Sequence, residues 1–134
     1  MDKEYQEKLS HLHELIKLSR IDDNVSLIES TFIERVATRL GVPKADLEKV
    51  KKNEFKFTPS TYEFERIPQF HRILILMGID LVITEEEAIF CKQVGIKMGL
   101  NPNAILDLLE IVKKKPVGLL KPSEITEIFK RYES

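Results

Sequence analysis

Two windows of this chain carry the same polar signal at the mouth of a helical stripe. Ser26-Leu-Ile-Glu29 and Thr84-Glu-Glu-Glu87 lie 58 residues apart. In each, a hydroxyl is followed three positions later by Glu, which is the pattern of a capping box. The hydroxyl accepts from a backbone N–H of the first turn, and the carboxylate accepts from the N–H of the capping residue. Sliding the chain by 58 residues lays 21–42 on 79–100 without a gap. Six pairs are then identical: Ile21/Ile79, Asp22/Asp80, Glu29/Glu87, Phe32/Phe90, Val36/Val94 and Gly41/Gly99. Val25/Ile83, Ser26/Thr84, Arg39/Lys97 and Leu40/Met98 are conservative, and His13 falls on His71. Any two amphipathic helices resemble each other, but helical periodicity does not demand Asp and Glu at fixed places. The two windows read as a duplicated helix–turn–helix unit.

The rest of the chain is punctuated in the same way. Tyr5, Leu9, Leu12 and Ile16 recur at helical spacing. The stripe after Ser26 runs through Ile28, Phe32, Val36 and Leu40 to Gly41. Pro43 suits the first position of a short third helix reaching about Lys51. Residues 53–66 predict an ordered connecting loop with one helical turn at most, because Pro59 and the isolation of the segment argue against a strand. Pro68 opens a helix to about Ile79. Its half Ile73-Leu-Ile-Leu-Met77 is apolar all round and belongs at the centre of a core. Thr84 starts a helix that stops near Gly99. Asn101-Pro102 caps and opens a sixth helix ending near Lys115-Pro116, and Pro122 begins a last one with Ile125, Ile128 and Phe129 inward. The expected fold is all-α, with about seven helices in a compact bundle and no convincing strand pair.

At 134 residues, 43% hydrophobic and 32% charged, the chain suits one soluble globular domain over 1–134 with a real core. A net charge of −1 supplies no basic field for nucleic acid. Cys91 is the only cysteine, so an internal disulfide and a multi-cysteine zinc site are excluded. No charged-then-apolar leader opens the sequence, and the apolar run Ile73–Ile79 is far too short to span a bilayer. A cytoplasmic protein without direct membrane insertion is the expectation.

Capping accounts for Ser26, Glu29, Thr84 and Glu87, but not for Asp22 and Asp80, which stand four residues before each cap. They could end the preceding helix and shape the turn, or they could hold a cation. An EF-hand is rejected for Asp22-Asp23-Asn24: that loop needs Gly at its sixth position and an acid at its twelfth, where this chain has Leu27 and Ile33.

The repeated pattern is Asp, two residues, Val or Ile, Ser or Thr, two residues, Glu, then a helix closing on Leu/Met-Gly-Val/Leu. It resembles the TerB-like family, a tellurite-resistance-associated helical domain also found in a membrane-anchored J-domain co-chaperone. Residues 77–91 carry the clearest match and 12–42 a weaker copy. The resemblance implies seven helices with a quasi-twofold internal repeat, over about 12–51 and 70–112. It also implies an acidic surface that binds a divalent cation, with Asp22, Glu29, Asp80 and Glu87 at the matching positions. One departure is that the family commonly has Gly after the Asp, where this chain has Asp23 and Leu81. A site of two or three exposed carboxylates would hold calcium or magnesium weakly.

Other candidates read as structural. His13-Glu14 begins like a zinc-protease helix but has no second His four residues on. His11 and His13 point to different sides of a helix. Cys91 sits in a helical stripe as a small core residue. The lysines at 49, 51, 52 and 113–115 complement helix C-termini. Phe55, Phe57, Tyr62 and Phe64 suit a loop laid over the core; exposed, they would be a partner patch. No catalytic constellation emerges. The expected function is therefore a non-enzymatic interaction domain with protein partners, a homodimer among the options, in the stress- or metal-resistance setting that the resemblance implies. A metal-dependent hydrolase using the acidic residues, or an adaptor for chaperone or membrane partners, is the alternative.

Overall fold

The computed structural model describes residues 3–21, 25–61, 63–79, 83–114 and 120–132. These hold seven α-helices and no strand: α1 Lys3–Ser19, α2 Leu27–Leu40, α3 Lys44–Lys52, α4 Glu63–Met77, α5 Glu85–Lys97, α6 Pro102–Lys114 and α7 Pro122–Lys130. The all-α expectation holds among the described residues, and none of their helices is long and apolar enough to cross a membrane. The chain divides into two units, Met1–Ser60 and Thr61–Ser134.

In the first unit α1 packs on α2 and α3, and α2 packs on α3. Leu12, Leu15 and Val50 are buried there with Ile33 and Leu47. Arg20, just past α1, donates to the carbonyl of Lys51 at 3.0 Å, so a guanidinium meets the negative end of α3. The segment after α3 runs back along α1: the Thr58 amide donates to Ser10 Oγ at 2.8 Å. The Phe55 ring lies 5.9 Å from that of His13. Phe55 and Phe57 are half-buried, as a loop laid over a core requires. Tyr62 lies outside the described residues.

In the second unit α4 packs on α5 and α7, and α6 packs on α5 and α7. Of the apolar run 73–77, Ile73, Leu74, Leu76 and Met77 are buried together with Phe70 of α4, while Ile75 is half-buried. Ile125, Ile128 and Phe129 of α7 are buried, and the Phe129 ring meets Phe70 edge-on at 6.2 Å.

Two helix starts differ from expectation. α4 begins at Glu63 and carries Pro68 inside it, so the connecting loop is shorter than 53–66. Proline in a helix costs one hydrogen bond and a steric clash, about 3 kcal/mol or more. Here it falls in the first two turns and is exposed. The turn before it is tied down by Arg66, which donates to the Thr61 carbonyl at 3.2 Å. Pro43 stands at the cap of α3 with extended backbone (ψ 154°), one residue earlier than the first helical position.

Backbone bonds of the two units run in parallel at a spacing of 58 residues. Val42 N–H donates to Ala37 O at 2.9 Å, and Leu100 N–H to Gly95 O at 3.1 Å. Gly41 donates to Thr38 O at 3.0 Å, and Gly99 to Ile96 O at 3.0 Å. These are Schellman closures, which need a left-handed residue; Gly41 has φ 76° and Gly99 φ 82°. Leu47 donates to Pro43 O and Ile105 to Asn101 O, at 3.0 and 3.1 Å.

Candidate functional site

The two capping boxes are both formed. Ser26 has φ −75° and ψ 160°, and Thr84 has φ −79° and ψ 159°. The Glu29 amide donates to Ser26 Oγ at 3.1 Å, and the Ser26 amide donates to Glu29 Oε1 at 3.1 Å. The Glu87 amide donates to Thr84 Oγ1 at 3.1 Å, and the Thr84 amide to Glu87 Oε1 at 2.9 Å. Both glutamates are buried. Each thus spends one carboxylate oxygen on a helix N-terminus, whose partial positive charge stabilises the anion. Asp22 and Asp80, the other two candidate ligands, lie outside the described residues. Among the described residues, no group of three or more His, Cys, Asp or Glu side chains is placed to hold a metal ion.

The candidate nucleophile and bases are placed for packing. Cys91 is buried, and burial pushes its thiol well above the ordinary range, which keeps it a thiol and not a thiolate. His13 titrates below its ordinary value, first because it is buried and then because Lys17 is near. His71 is lowered by burial and then by Arg72. Both are therefore neutral at pH 7. Glu14, on the buried side of α1, faces Lys17 at 3.7 Å.

Sequence reasoning missed a cleft of about 150 Å³ between α2 and α3. Its floor is Ala37, Val42 and Leu47, and its rim carries Glu34, Glu48 and Lys44. Glu48 is paired with Lys51 at 3.2 Å. Ala37, Val42 and Leu47 are buried, so what the cleft offers to solvent is mainly its polar edge of Glu34, Thr38, Lys44 and Glu48. No family model, curated protein or solved structure matches the chain.

Proposed function

We propose that this chain is a protein-interaction domain of the TerB-like type, without catalysis of its own. In this reading it is one bundle built from two copies of a helical unit, over about 12–51 and 70–112. The register of caps and Schellman closures at a constant 58-residue spacing is the observation that supports it. A second support is the chemistry of the side chains: a thiol held protonated, histidines held neutral, and glutamates engaged by helix caps.

The acidic turns would add a weak divalent-cation site. Calcium and magnesium prefer several oxygen ligands and keep water where the protein offers few. By the resemblance, Asp22 with Glu29 in one unit and Asp80 with Glu87 in the other would supply the charge of such a site. The helix N-termini oppose a cation, so the affinity expected is micromolar to millimolar. Calorimetry with calcium, magnesium and manganese on the wild type and on Asp22→Asn/Asp80→Asn tests this. Heat that disappears in the double variant supports the site. Equal heats in both proteins, or none in either, assign the aspartates to turn formation alone. The tellurite- or stress-linked setting follows from the resemblance and is tested by deleting the gene in its host.

A further inference from the structure

We draw no further inference here: the strongest candidate, the exposed apolar surface patch of Val25, Leu27 and Ile28 at the start of α2, carries nothing because no feature of the structure shows what covers it.

Discussion

Ile105 closes directly onto the backbone of Gly95, leaving no space for a side chain at that position of α5. Phe70 shares the contact from α4, and both residues are fully buried. Two effects of Gly95→Ala therefore compete. Alanine favours the helix by about 1 kcal/mol. Overpacking a closed core costs about 1–3 kcal/mol. The cost wins, because an Ile methyl and a Phe ring must both move inside a filled core. Urea unfolding of Gly95→Ala should show a net loss of up to about 2 kcal/mol. A variant more stable than wild type would mean that Ile105 yields freely.

The capping boxes predict matched losses. Ser26→Ala and Thr84→Ala should each destabilise the protein by about 0.5–2 kcal/mol. Each removes the acceptor for a first-turn amide, Glu29 N–H in one case and Glu87 N–H in the other. Loss of stability should be the same with and without divalent cations. A change near zero in metal-free buffer would remove the capping account.

Proton linkage is expected at both ends of the pH scale. The Tyr5 hydroxyl donates to the Asp46 carboxylate and ties α1 to α3. That hydrogen bond first, then burial and the negative charge of Asp46, pushes the phenol up to about 12. The folded state thus keeps a proton that the unfolded chain releases near 10. The stability this contributes is complete below pH 10 and is lost as pH rises towards 12. Tyr132, which donates to Asp107, is also raised, so absorbance titration should lose one of the late phenolates in Tyr5→Phe and show one returning to about 10 in Asp46→Asn. The histidines act in the other direction. His13 and His71 are held below their ordinary value, so the unfolded chain takes up protons first as pH falls below about 6.5. Their contribution is present above that pH and is lost on acidification through their lower native values. His71→Gln should flatten the decline between pH 7 and 5 in urea unfolding.

Helix identity and most helix ends were legible in the sequence because their causes are local. A hydroxyl and a Glu three residues apart build a cap from their own backbone, and Gly41 and Gly99 end their helices by adopting a conformation that other residues resist. Asn101 and Pro102 act in the same way: Asn101 Oδ1 accepts from the Asn103 and Ala104 amides at 2.8 and 3.3 Å. The start of α4 was not legible. Proline at 68 signals a first turn, and only the tie from Arg66 to Thr61 and the packing of α4 on α5 and α7 carry the helix back to Glu63.

The candidate sites divide along the same line. That Glu29 and Glu87 serve helix caps followed from spacing alone. Which surface is open and which is filled was decided by tertiary packing. Ala37 with Leu47, and Gly95 with Ile105, are nearly equivalent pairs on paper. Both pairs are buried, but the first borders an open cleft of about 150 Å³, while at the second Ile105 stands directly on the Gly95 backbone. The difference is set by side chains far apart in sequence, such as Phe70 against Gly95, and by shape complementarity between helices. Helix periodicity records which residues face inward; it carries no record of whether the facing surfaces meet.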